Sequence, residues 1–128
     1  MITPFERSSG KVIFLNGGSI GKITGESEFD HYPEEIKNRY RIIDAKGCYI
    51  SPGFIDIHCH GAVNIDAATG PYQPWADYKL KRGTTGFLPT FWNMELEALI
   101  KACSDISDFI KKQKSGSRIL GINSEGPY

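Results

Sequence analysis

The chain has 128 residues, 40% of them hydrophobic and 23% charged, which suits a modest folded chain with a real core and not a disordered one. Fifteen basic residues offset fifteen acidic ones, so charge gives no reason to expect nucleic acid or an anionic membrane as a partner. No apolar run approaches the roughly 18 residues that a bilayer-spanning helix needs, and MITPFERSSG lacks the basic-then-apolar order of a secretory leader. Cys48, Cys59 and Cys103 are odd in number and contain no CxxC, the usage of reduced thiols in a cytoplasmic protein.

In chain order, Lys11 to Leu15 (KVIFL) reads as a strand, NGGSIG supplies a turn, and Ser19 to Ile23 returns as a second strand. Gly25 to Arg39 is polar and is expected to be a surface loop; His31 lies in it with a solvated role. Tyr40 to Ser51 reads as strand, turn and strand, with the turn at Ala45-Lys46-Gly47. Residues 1–52 are therefore expected to form a small β-unit of about four strands.

The pattern changes at residue 53. Gly53 to Cys59 (GFIDIHC) reads as a buried strand, followed by a Gly- and Ala-rich loop from Gly61 to Gly70 in which Asp66 can act as a brace. Pro74 to Arg82 is a short helix candidate, with Pro74 in its first turn and Gly83 at its end. Thr84 to Phe91 (TTGFLPTF) is a strand, with Pro89 bending its end. Leu96, Leu99, Ile100, Cys103, Ile106 and Ile110 recur at helical spacing, predicting a helix from Met94 to Lys114 capped by Asn93 and stopped by Gly116. Arg118 to Glu125 (RILGINSE) is a further strand. The order β-α-β-α-β over 53–128 predicts an α/β unit with parallel strands.

Strict alternation along Gly53 to Gly61 puts Asp56, His58 and His60 on one face and Ile55, Ile57 and Cys59 on the other. An HxH alone fits exposed edge-strand histidines as well as a metal site. In parallel α/β folds, however, sites lie beyond the carboxyl ends of strands. His58, His60 and Glu125 all fall at such ends. Two imidazoles and a carboxylate can bind one divalent cation and leave a position open for water. Nucleotide binding is not supported: NGGSIG is not GxGxxG and no GxxxxGK[ST] occurs. Ser124 lies in no GxSxG turn.

The segment PGFIDIHCHG resembles the start of the barrel in the amidohydrolase superfamily, and IIDAKGCYISPG before it resembles the exit from those enzymes' small β-sandwich. GTTGFLPT and LGINSEGPY together resemble the N-acetylglucosamine-6-phosphate deacetylase family. The resemblance runs from about residue 10 to the end. It implies a partial TIM-like barrel of about three strands and two helices over 53–128, preceded by part of a β-sandwich over 1–52. It further implies hydrolysis of the N-acetyl group of an amino-sugar phosphate, with Glu125 as a metal ligand and His58 and His60 supporting it. Zinc or iron is the expected metal. Asn123 stands where the family usually has a histidine, a departure that fits either an altered substrate contact or loosened selection. The general-base aspartate and further histidines are expected beyond Tyr128, so the chain reads as the N-terminal part of such an enzyme, inactive alone. An open parallel sheet should also associate, making a homo-oligomer expected. Two alternatives stay open: a dihydroorotase- or hydantoinase-like cyclic amidohydrolase, and a non-catalytic metal-binding remnant.

Overall fold

A computed structural model describes residues 1–126, in two compact units that divide after Pro52. In the first unit, β1 (Lys11–Asn16) and β2 (Ser19–Gly25) form an antiparallel hairpin closed by Gly17 and Gly18. Both glycines take positive φ, 57° and 83°, as a two-residue hairpin turn requires. The expected polar loop is instead two short helices, α1 (Glu26–Asp30) and α2 (Glu34–Lys37). Each starts with acidic residues at the positive end of its dipole, and α2 ends on Lys37. Phe29 and Tyr32 pack on Phe14, with ring centroids 5.8 and 5.9 Å away, and Tyr40 meets the same ring at 5.1 Å. Their polarity hid these helices: Phe29 is the aromatic residue inside them, and Tyr32 lies in the turn between them.

The predicted turn near residue 46 is present, closed by the Cys48 N–H on the Ala45 carbonyl at 2.9 Å. The strands predicted on either side of it are not: residues 40–51 join no ladder, and Ile42, Ile43 and Tyr49 remain exposed. A strand is defined by the neighbour that takes its N–H and C=O groups. Among the described residues, only Ile50 gives a carbonyl to another segment of this kind, accepting from the Ile2 N–H at 2.7 Å. His31 is exposed, as expected, with Nδ1 on the Ser27 carbonyl at 2.7 Å.

The second unit is a parallel sheet with helices on one face. Its strands are β3 (Phe54–Cys59), β6 (Thr84–Phe91), β7 (Arg118–Ile119) and β8 (Asn123–Ser124), with β6 central. Between β3 and β6 lie a small hairpin, β4 (Gly61–Ala62) and β5 (Ile65–Asp66), and helix α3 (Tyr72–Lys81). Helix α4 (Leu96–Lys112) connects β6 to β7. The helix-covered face holds the core: Trp75 and Ala76 from α3, Phe87 and Phe91 from β6, Ala102 and Ile106 from α4, and Ile119 from β7. Trp75 meets Phe87 edge-on at 4.9 Å.

Several boundaries differ from the sequence reading. α3 starts two residues before Pro74, and α4 starts after Glu95, which takes the N-cap position expected of Asn93. α4 also ends before Gly116. The buried Gln113 organises the connection to β7, donating to the Ser115 and Ser117 carbonyls at 3.1 and 2.7 Å and accepting from the Ile119 N–H at 3.2 Å. On α4 the buried face centres on Ala102 and Ile106, while Leu96 and Ile100 are exposed. The single strand expected over 118–125 is two short ones with a break at residues 120–122.

β3 is an edge strand, not a buried one. Ile55 is 62% and Ile57 67% exposed, on a sheet face with no helix over it. The expected alternation also breaks. Asp56 pairs with Phe87 and Cys59 with Pro89, so three steps on β3 match two on β6. That register shift is a bulge, and Pro89, which has no N–H for a ladder, lies opposite its far end.

Candidate metal centre

The bulge sorts the chemistry of β3 onto two faces. Asp56, in register with the buried Phe87, points to the helix side and pairs with Lys79 of α3. Lys79 is nearly buried, its Nζ 5.9 and 5.7 Å from the ring centres of Trp75 and Phe87. Cys59 is buried on that same side, in the core and beside the Leu88 carbonyl at 3.4 Å. Burial pushes its thiol up from the ordinary range. Burial also works to raise the Asp56 carboxyl, but the Lys79 ammonium and then the His58 N–H outweigh it and hold that carboxyl below its usual range. The expectation that Asp56 shares a face with His58 and His60 is therefore corrected: the extra residue of the bulge turns it away from them.

His58 and His60 face the other way and meet Glu125, just past β8. His58 Nε2 lies 3.1 Å from His60 Nε2 and 3.0 Å from Glu125 Oε1, and His60 Nε2 lies 3.8 Å from Glu125 Oε2. One donor atom from each residue falls within 4.8 Å of the others. The structure thus brings together all three residues singled out in the sequence, at the carboxyl ends of β3 and β8. A cation held tetrahedrally at about 2.0–2.1 Å keeps its donors roughly 3.3–3.4 Å apart. The separations here bracket that value, and two imidazoles with a carboxylate are a donor set suited to zinc or iron. His58 is half exposed and Glu125 more than a third, so the cluster opens to solvent and not into the core.

Residues that the sequence reading missed hold the cluster in place. His60 Nδ1 lies 3.0 Å from the Thr90 carbonyl oxygen, which can only accept, so the proton sits on Nδ1 and leaves the Nε2 lone pair bare. Trp92 stacks on the His60 ring at 3.7 Å with 15° between planes. Thr90 Oγ1 accepts the Cys59 N–H at 2.9 Å, and Asp56 Oδ1 accepts the His58 N–H at 3.2 Å. The Glu125 N–H reaches the Phe91 carbonyl at 3.3 Å. Thr90 and Trp92 could have been suspected, since both stand at the same strand end as the histidines. Nothing in the sequence marks the bulge.

The loop after His60 is tightly built. A Cβ on Gly61, at φ 154°, would sit 1.9 Å from the Ile65 carbonyl oxygen, so only glycine fits where the chain turns into β4. Asp66 braces the loop as expected, its Oδ1 accepting the Ala68 N–H at 2.8 Å.

No family model matches the chain. It is 30% identical over 120 residues to the N-acetylglucosamine-6-phosphate deacetylase of Haemophilus influenzae, a match covering 91% of this chain and 29% of that protein. Curated proteins of the same name from Lysinibacillus sphaericus and Bos taurus match at 27% over 89 residues and 29% over 92 residues. These cover 67% and 66% of this chain and 23% and 22% of the relatives. The crystal structure of N-acetylglucosamine-6-phosphate deacetylase from Thermotoga maritima superposes with a TM-score of 0.67 at 25% identity, over 91% of this chain and 27% of that one. The chain spans less than a third of the length of the proteins it matches.

Proposed function

Because the chain is similar to N-acetylglucosamine-6-phosphate deacetylases across most of its length, we propose that it carries the first metal-binding portion of such a hydrolase. The observation that carries this reading is the convergence of His58, His60 and Glu125 donor atoms within 4.8 Å at one end of a parallel sheet. In this reading the three side chains hold a divalent cation, zinc or iron. When bound, the cation supplies Lewis acidity toward an amide carbonyl and lowers the pKa of water at an open coordination position.

The chain's own residues perform the supporting tasks. Thr90 fixes the His60 tautomer so that Nε2 faces the cluster. Trp92 covers one side of the His60 ring, while His58 and Glu125 keep the cluster open to solvent. Proton transfer to the leaving amine requires a general acid–base. Among the described residues, no further acidic or histidine side chain joins the three at this rim.

The sheet itself supports a TIM-like barrel. Ile55, Ile57 and Leu120 are exposed on the face that no helix covers, the face a closed barrel would bury. In this reading the first unit contributes to the side β-sandwich, and further strands would complete the barrel and the grip on the sugar phosphate.

The test is a chimera in which these residues replace their counterpart in the Thermotoga maritima enzyme. Acetate release from N-acetylglucosamine 6-phosphate that needs added metal and disappears with Glu125→Ala supports the proposal. A chimera that folds and binds metal but releases no acetate contradicts it, and favours a non-catalytic metal-binding role.

A further inference from the structure

Two chain segments carry the three candidate ligands, and both are weakly anchored. Glu125 follows β8, a strand of two residues that hangs on β6 through Thr90–Asn123 and Phe91–Ser124 pairing, after a break at residues 120–122. His58 lies inside the β3 bulge, where Ile57 and His58 have no ladder partner on β6. Besides the contacts of His58 and His60 with Glu125, a side-chain-to-backbone bond joins the two segments. Asn123 Nδ2 donates to the Ile57 carbonyl oxygen at 3.2 Å. Asn123 stands two residues before Glu125, and Ile57 immediately before His58.

We propose that Asn123 is a positioning residue: its bond to the Ile57 carbonyl sets the separation between the His58–His60 segment and Glu125, and so tunes affinity for a divalent cation. An amide suits this task. The bulge leaves a carbonyl that needs a donor, and the Asn123 N–H satisfies it without bringing a second charge beside the ligands. With its Nδ2 donating to the Ile57 carbonyl, Asn123 acts on the spacing of the ligands. Asp56 holds the other end of the same irregular segment through the His58 N–H, and its pairing with Lys79 on the opposite face fixes that end to α3. The bulge is thus held from both faces of the sheet, and Asn123 is the holder that also reaches the Glu125 segment.

This inference rests on the metal-binding reading above. The test titrates the 128-residue chain with cobalt(II) and follows its visible absorption. Removing an outer partner of a metal ligand typically weakens binding about 10- to 100-fold. Asn123→Leu, which keeps bulk but loses the donor, is expected to lose affinity by that factor and to shift the cobalt spectrum. Asn123→His, which presents a ring N–H near the place of Nδ2, is expected to recover most of both. Asn123→Leu binding cobalt as tightly as the wild type, with the same spectrum, overturns the proposal. So does a histidine variant as weak as the leucine one. A wild-type chain that takes up no cobalt overturns the metal-binding reading itself.

Discussion

His60 Nδ1 donates to the carbonyl oxygen of Thr90 at 3.0 Å, while the Thr90 hydroxyl accepts the Cys59 N–H at 2.9 Å. One residue of β6 therefore fixes both a candidate ligand and the main chain beside it. The hydroxyl is fully buried. Thr90→Val keeps the shape and removes the acceptor, leaving the Cys59 N–H without a partner. A loss of about 1–3 kcal/mol in unfolding free energy is expected by urea denaturation. An unchanged midpoint would show that Cys59 finds another acceptor.

The Asp56–Lys79 pair is lopsided in burial: the Lys79 side chain is 12% exposed and that of Asp56 33%. Removing the carboxylate strands a nearly buried ammonium, whereas removing the ammonium leaves a carboxylate that still accepts the His58 N–H. Asp56→Ala is therefore expected to cost more than Lys79→Met, by about 1–2 kcal/mol after allowing for the exposure of the pair. Parallel denaturant titrations of the two variants measure the difference, and equal losses would count against the asymmetry.

Val63 and Asn64 form the turn between β4 and β5 with φ of 48° and 63°. A branched side chain rarely tolerates that region, which costs roughly 1–2 kcal/mol for an ordinary residue. Val63 is exposed, so the strain is not offset by burial. Val63→Asn is expected to raise stability by up to about 1 kcal/mol, read as an increase in melting temperature. A lower melting temperature would mean that the valine packs to advantage.

In the first unit, the Lys22 ammonium, 2.8 Å from Glu28, holds the Glu28 carboxyl down to about 2 from an ordinary 4.5. The folded value lies below the unfolded one, so this contact stabilises fully above pH 4.5 and its contribution fades as pH falls toward 2. Both groups are exposed, so the effect on stability is small and salt-sensitive. An NMR titration of the Glu28 carboxyl in the wild type and in Lys22→Met checks it: the midpoint is expected to rise in the variant, and no change would refute the assignment.

The range of each interaction decides how legible it was in the sequence. β6 is found over Thr84 to Phe91 as expected, because an apolar run between Gly83 and a polar segment is a local signal. α3 and α4 are likewise where Pro74, Gly83 and the apolar spacing placed them, within a few residues. The meeting of His58 and His60 with Glu125 was legible because ligand residue types stood at strand ends. The bulge was not, since it depends on how β3 registers against Pro89 of a strand thirty residues later. That one extra residue sends Asp56 to Lys79 and away from the histidines. The strands expected at residues 40–51 failed for a related reason: extended propensity makes a strand only where another segment completes the ladder.

The sharing of one divalent cation by His58, His60 and Glu125 is tested most directly by an equilibrium zinc titration of the chain beside His58→Ala, His60→Ala and Glu125→Ala. One equivalent bound by the wild type, with each variant weakened about 100-fold or more, is the predicted result. Unchanged affinity in Glu125→Ala, or in both histidine variants, would contradict it.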